Sequence, residues 1–350
     1  MIASVTAVPA SVAAAEPAAV ECRAYESIPV SSTPGTPKTL HVWGELCARP
    51  EDLVNGHTVQ LLLHGAFYNH SYWNPSYDNG SHSYARSVAT AGVPTFSIDR
   101  IGQGRSSRPP STELTVQNDA FVVHQIVQEL KRGAFGNTGF GPVVAVGHSA
   151  GSAVAWQEAA TYHDIQGLIV TGMLHVLPVG PGVMTAGANY RPAALDPAFR
   201  TANLDPGYLT TAVGSRGQVF HHAGGVDPGI VAWDEANKDA TSAAEIAGIF
   251  PSTTSDLTRS IHVPVLVIQG QQDLLMCGPG SADCSSAAKI QELESRYYSP
   301  ESCLQTVLVP DAGHDIALSN NRKLAEDAGT RWTTDFIGTD GQGSAAGGCG

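Results

Sequence analysis

Ser149, Asp273 and His314 are the side chains whose types and settings suit covalent chemistry. A serine hydroxyl is a poor nucleophile at neutral pH. It attacks an acyl carbon only when a base takes its proton and a carboxylate orients that base. Ser149 lies in Gly147-His148-Ser149-Ala150-Gly151, behind the apolar run Val143-Val144-Ala145-Val146 and ahead of Ser152-Ala153-Val154-Ala155-Trp156. Buried strand, Gly-x-Ser-x-Gly and a helix of small residues together form a nucleophile elbow. Only small side chains fit at Gly147 and Gly151, and the serine takes a strained backbone that lifts its hydroxyl clear of the sheet. Hydrolysis at an acyl carbon is the leading expectation.

His314 is the candidate base. It stands in Val309-Pro310-Asp311-Ala312-Gly313-His314-Asp315, and among 13 histidines it is the one behind a late strand in a Gly-containing turn. Asp273 is the candidate orienting acid, because it follows the strand Val265–Gln269 and a Gly270 turn. The rival position after Thr171 offers Gly172, Met173, Leu174 and His175 but no acid. Asp311 and Asp315 sit too close to His314 to face its far nitrogen and read as loop residues, and His148 reads as packing. The oxyanion needs two N–H donors. Ala150 supplies one at a helix N-terminus, where the dipole favours negative charge. Ala66, after the strand exit Leu63-His64-Gly65, supplies the other. Phe67, Tyr68, Tyr72 and Trp73 follow that turn and are candidates for the acyl pocket, with Tyr190, Phe220 and Trp233 from farther along; plain packing is the competing role for each.

The elements that must position these groups alternate regularly after residue 57. Runs at Thr58–Leu63, Val93–Ile98, Val143–Val146, Gln166–Thr171, Val263–Gln269 and Leu304–Val309 read as strands. Helices are expected over Ser81–Ala91, 113–132, the segment behind Ser149, Ser285–Arg296 and Asn321–Phe336. Val116, Ala120, Val123, Ile126, Val127 and Leu130 give the second its apolar face. Such alternation implies an α/β fold with a mostly parallel sheet covered by helices on both faces. From about His175 to Ser260 the rhythm breaks into Gly, Pro and scattered aromatics without a clear strand, which we read as an inserted helical lid. The expected organisation is a leader or signal remnant at 1–20, a core of 21–174 and 261–337, the lid at 175–260 and a Gly-rich tail at 338–350.

A formal charge of -13, with 19 Lys and Arg against 32 Asp and Glu, argues against nucleic acid and polyanionic substrates. No segment beyond the N-terminus approaches the roughly 18 apolar residues of a membrane span. Met1–Ala19 resembles the end of a secretory signal peptide without its basic start; a disordered leader is the other reading. Asp99-Arg100-Ile101-Gly102-Gln103-Gly104-Arg105-Ser106 lacks the endings of a phosphate or dinucleotide loop and reads as a structural turn.

The six cysteines include no Cys-x-x-Cys, so a zinc or redox site has little support and no metal is expected. An even count favours disulfides and a secreted or extracytoplasmic location. A hairpin about Pro34-Gly35 sets Cys22 opposite Cys47. Cys277 and Cys284 enclose a tight loop that a bridge would brace, which leaves Cys303 with Cys349.

Together, His64-Gly65, the Asp99–Ser106 turn, the Ser149 elbow, Gly270-x-x-Asp273 and Gly313-His314 resemble the α/β-hydrolase fold family, specifically its lid-bearing serine hydrolases, over about residues 40–337. The chain order Ser149, Asp273, His314 agrees with that family. The resemblance implies an eight-stranded, mostly parallel sheet, a pocket beneath the lid and no cofactor. Serine at 149, rather than Asp, disfavours the dehalogenase and epoxide-hydrolase branches. The expected activity is hydrolysis of a small hydrophobic carboxylic ester or lactone through an acyl-enzyme. Amide or carbon–carbon bond cleavage, or a ligand receptor with an idle triad, are the alternatives.

Overall fold

Short Val, Leu and Ile runs without polar alternation suit strands buried on both faces, and such runs supply most of the central strands of one eight-stranded sheet. The computed structural model describes residues 18–136, 138–177 and 179–344. A hairpin of β1 (Glu21–Val30) and β2 (Leu40–Ala48) precedes β3 (Val59–Leu63), α1 (Tyr84–Thr90), β4 (Thr95–Asp99), α2 (Val116–Arg132), β5 (Val143–His148), α3 (Ala150–Tyr162) and β6 (Gly167–Thr171). An insertion follows, with α4 (Pro181–Ala188), β7 (Tyr190–Pro192), β8 (Tyr208–Thr211), α5 (Arg216–Val219), α6 (Pro228–Ala236), β9 (Thr241–Ser242) and α7 (Ala243–Thr254). The core resumes with β10 (Val265–Gly270), α8 (Ala287–Glu294), β11 (Gln305–Val309) and α9 (Arg322–Arg331).

The strand order is β1-β2-β4-β3-β5-β6-β10-β11. β2 runs antiparallel to both its neighbours, and every other pair is parallel. Every residue of β3, β4, β5, β6 and β10 is buried, and each such aliphatic side chain contributes about 1.5–3 kcal/mol. The chain steps from β3 outward to β4, then back across to β5. Because crossovers are right-handed, this reversal puts α1 and α2 on opposite faces. α1 accordingly packs on α9, and α2 on α3. The reversal also opens a crevice at the carboxyl ends of β3 and β5, where α/β sheets bind ligands.

The hairpin contains a detail invisible in its sequence. Near the turn Ile28 pairs with Val42, a register that would bring Cys22 opposite Ala48; a bulge between Tyr25 and Ile28 shifts the pairing by one, and Cys22 then faces Cys47. Cys22–Cys47 and Cys277–Cys284 are both disulfides. Cys349, the expected partner of Cys303, lies outside the described residues, as does most of the expected leader.

One expectation needs correction. The insertion is not purely helical, because β7, β8 and β9 form a three-stranded antiparallel sheet. Strands of two to four residues are too short to show alternation in sequence. The closing helix spans its expected length, as an α-helix to Arg331 and a π-helix over Trp332–Ile337. Among the described residues no helix is long and apolar enough to cross a membrane.

Candidate active site

The carboxyl ends of five neighbouring strands deliver the site. Leu63 pairs with Gly147, His148 with Thr171, Thr171 with Ile268, and Gly270 with Val309. The turns after β3, β5, β6, β10 and β11 therefore share one edge of the sheet.

Ser149 caps α3 with φ 52° and ψ -120°, a left-handed strain that L-residues rarely hold. Its N–H donates to the Thr171 carbonyl at 2.9 Å, which fixes the tip against β6. A Cβ on Gly151 would lie 2.3 Å from the Leu63 carbonyl oxygen, and one on Gly147 would lie 2.5 Å from Ser152 Cα. The glycines are steric requirements of the turn.

Asp273 is fully buried. Its Oδ1 accepts from the Leu275 and Met276 N–H groups at 2.9 and 3.3 Å, and its Oδ2 accepts from Gln269 Nε2 at 2.7 Å and His314 Nδ1 at 2.9 Å. The turn-capping and histidine-orienting roles are thus held by one carboxylate, an oxygen for each. Burial disfavours the imidazolium of His314, but the charge and hydrogen bond of Asp273 outweigh it and raise the histidine above its ordinary value. His314 and half-buried Ser149 line the same cavity. Among the described residues Ser149 Oγ makes no hydrogen bond to the imidazole or to any other group; such bonds are often loose before substrate arrives.

Ala66 also lines the cavity. Neither its N–H nor that of Ala150 donates to an acceptor among the described residues. The turn that carries Ala66 is clamped from behind. Arg100 Nε donates to the His64 carbonyl at 2.8 Å, the Arg100 N–H donates to His64 Nε2 at 3.1 Å, and the guanidinium pairs with Asp119 and Glu245. Burial first, and Arg100 second, lower His64 to about 3, so it stays neutral as an acceptor. Phe67 has φ 66°, and its carbonyl accepts from the Asp239 N–H at 2.8 Å and Arg216 Nη1 at 3.3 Å. The Asp99–Ser106 turn consumes its own N–H groups: Gly104 donates to Asp239 and Arg105 to Asp99, each at 2.8 Å. It offers no cradle for phosphate.

The cavity measures about 310 Å³ and is mainly apolar. Phe67, Tyr68, Met173, Leu275 and Met276 form its sheet side; Val183, Tyr190, Phe220, Ile246 and Phe250 close it from the insertion. Three candidate aromatics are absent from its wall. Tyr72 stacks on His148 at 4.3 Å, and Trp73 packs on Tyr72 and Tyr84 at 4.9 and 5.1 Å. The turn over His70–Tyr72 separates both rings from Phe67 and Tyr68, and both are buried in the core. Trp233 packs half-buried on α6, away from the cavity.

A network that sequence reasoning missed lies beside His314. Asp315 is buried, not a plain loop residue: its Oδ2 accepts from the Tyr68 hydroxyl and lies 3.3 Å from His221 Nε2, and its Oδ1 lies 3.4 Å from His148 Nε2. Arg216 pairs with Asp234 through two 2.8 Å bonds, and His221 Nε2 lies 3.0 Å from Asp234 Oδ2. His221, Asp234 and Asp315 are close enough to suggest a metal, but the Arg216 guanidinium already engages both Asp234 oxygens. No single motif announces this network, since its members come from the β3 exit, the end of β5, the insertion and the β11 exit.

Residues 60–327 match the model of the alpha/beta hydrolase family. No curated protein sequence matches the chain significantly. Among solved structures, an esterase from Thermogutta terrifontis superposes with TM-score 0.56 at 20% identity, covering 87% of this chain and 97% of that one. A bromoperoxidase from Bacillus anthracis gives 0.57 at 15%, covering 86% and 97%, and a monoacylglycerol lipase from Paleococcus ferrophilus gives 0.54 at 17%, covering 84% and 97%. At such identities the likeness is one of fold.

Proposed function

This chain belongs to the alpha/beta hydrolase family, and from that premise we propose that it cleaves a carboxylic ester or lactone through a covalent acyl-enzyme. Ser149 Oγ attacks the acyl carbon while His314 Nε2 takes its proton. Asp273 holds Nδ1–H and stabilises the imidazolium that forms. The carbonyl oxygen becomes an oxyanion that accepts from the Ala66 and Ala150 N–H groups, each worth about 3 kcal/mol to the transition state. As the tetrahedral intermediate collapses, His314 returns the proton to the leaving alkoxide. Water then repeats the sequence against the acyl-enzyme and frees Ser149.

The observation that carries this reading is the Asp273–His314 hydrogen bond at 2.9 Å on the wall of the cavity that Ser149 also lines. An apolar cavity in a chain of charge -13 favours an uncharged, hydrophobic acyl group. We assign the insertion the role of a lid, since it supplies the far wall. Two disulfides suit an oxidising, extracytoplasmic compartment.

A fluorophosphonate probe and an ester and lactone panel test the proposal. Labelling at Ser149 and turnover of uncharged esters are expected, with both lost in Ser149→Ala. Labelling or turnover that survives that substitution overturns it, and labelling without turnover of any ester or lactone removes the substrate class.

A further inference from the structure

One cluster of acids, buried at Glu158 and half-buried at Asp164, has no part in that chemistry. Glu158 lies on α3, nine residues beyond Ser149, with no exposed surface, and neither Oε1 nor Oε2 has a hydrogen-bond partner among the described residues. Asp164, between α3 and β6, faces it. Asp164 Oδ2 accepts from Gln128 Nε2 at 2.5 Å and meets His124 Nδ1 at 2.8 Å, but its Oδ1 is buried without a partner. Lys131 Nζ donates to the Asp164 backbone carbonyl, so it serves neither free carboxylate oxygen.

Three carboxylate oxygens of two touching acids are thus buried without a hydrogen-bond partner among the described residues. Leaving such groups unsatisfied is costly and calls for an occupant. A single shared proton would join two of the oxygens and strand the third. A dication ligated by both carboxylates would neutralise both acids. His124, Glu158 and Asp164 each bring a ligand atom within 4.8 Å of the others. Metal–ligand distances of about 2.1 Å need only a small closure from there.

We propose that His124, Glu158 and Asp164 bind one divalent cation that accepts mixed imidazole and carboxylate donors, Zn²⁺ or Mn²⁺. The side chains of His124 and Asp164 are 27% and 14% exposed, which gives the ion an entry path and water for its remaining positions. The site is structural. It fastens α2 to the far end of α3, whose first turn carries Ser149, and to the start of β6.

The full chain, stripped with EDTA, is titrated with MnCl₂ and ZnCl₂ while bound metal is counted and Tm is followed. One equivalent should bind and raise Tm by about 3 °C or more at saturation. Glu158→Gln, which keeps the shape of the side chain, and the more exposed His124→Ala should each weaken binding by about 100-fold while ester turnover persists. No stoichiometric uptake by the unmodified chain, or equal uptake by both variants, overturns the proposal. So does a Glu158→Gln chain that gains Tm in metal-free buffer while the unmodified chain ignores metal, because a shared proton then accounts for the pair.

Discussion

Asp315 Oδ2 lies 3.3 Å from His221 Nε2, so the residue directly after His314 is fastened to the insertion. His314 and Asp315 are neighbours in the chain with opposite attachments: one turns to Asp273 on the β10 exit, the other to His221, Tyr68 and His148. Arg216, His221 and Asp234 belong to the insertion, whereas Tyr68, His148 and Asp315 belong to the sheet edge. The cavity roof is therefore bolted to the turn that carries the proposed base. A second bolt joins Glu245 on α7 to Arg100 behind the Ala66 turn.

Asp315→Asn should separate fastening from catalysis. It leaves His221 and Arg216 short of a buried negative charge, a loss of about 3–5 kcal/mol, read as a lower urea midpoint. Asp273→Asn should instead cost about 10⁴ in kcat. If both substitutions reduce kcat equally, Asp315 belongs to the chemistry and the distinction fails.

The pH dependence of kcat/KM should show an acid limb. His314 accepts a proton only when neutral, and Asp273 raises it above its ordinary value against the opposing effect of burial. The midpoint should therefore lie above about 6.5. Residual activity in Asp273→Asn should move that midpoint toward acid; an unmoved midpoint would mean another group sets the limb.

Stability should carry the signature of His221. Burial opposes its charge, but Asp315 and Asp234 overcome that and raise it. A group raised on folding contributes fully below its unfolded value of about 6.5, and the contribution fades as pH climbs through the folded value. Tm should then be lower at pH 9 than at pH 6, with the difference reduced in His221→Asn. A difference of the same size in that variant would assign the effect elsewhere.

Gly151→Ala tests the elbow's sterics. The new Cβ would lie 2.3 Å from the Leu63 carbonyl oxygen and 2.5 Å from that of His64. Overpacking against backbone should cost about 1–3 kcal/mol or more and displace Ala66, with loss of turnover. Gly187 lines the cavity, so Gly187→Ala is the control for stability alone, since nothing lies within 4 Å of its Cβ and α4 gains a better helix former. Calorimetry on the two variants decides.

Ala186→Phe tests the cavity. Ala186 is buried and lines it, so a benzyl group there removes a large share of about 310 Å³. Long-chain esters should lose kcat/KM by at least about 10-fold while acetyl esters keep theirs, on the scale of about 1–3 kcal/mol for a pocket contact. A uniform loss across chain lengths would mean that the acyl group binds elsewhere.

Much of the architecture was legible because parallel strands leave a strong imprint. Four of the five fully buried strands read as largely apolar runs, β4 (Thr95-Phe96-Ser97-Ile98-Asp99) being the exception, and Gly147, Gly151 and Gly270 mark turns where backbone approaches too closely for a side chain. The Cys22–Cys47 pairing followed from the hairpin's midpoint, although a bulge was needed to realise it. The small sheet of the insertion was not legible, because its strands span too few residues for a period to show.

Local order along the chain set the strand–turn–helix grammar and put Ser149, Asp273 and His314 at strand exits, since hydrophobic period and turn chemistry act between near neighbours. Tertiary structure alone decided what meets across the sheet edge. It sent Phe67 and Tyr68 to the cavity but Tyr72 and Trp73 into the core, turned Asp315 away from His314, and gathered Arg216, His221 and Asp234 around it. Such choices depend on contacts between residues up to 247 positions apart, as in Tyr68 and Asp315, and no local pattern encodes a burial that forms only when distant segments close on one another.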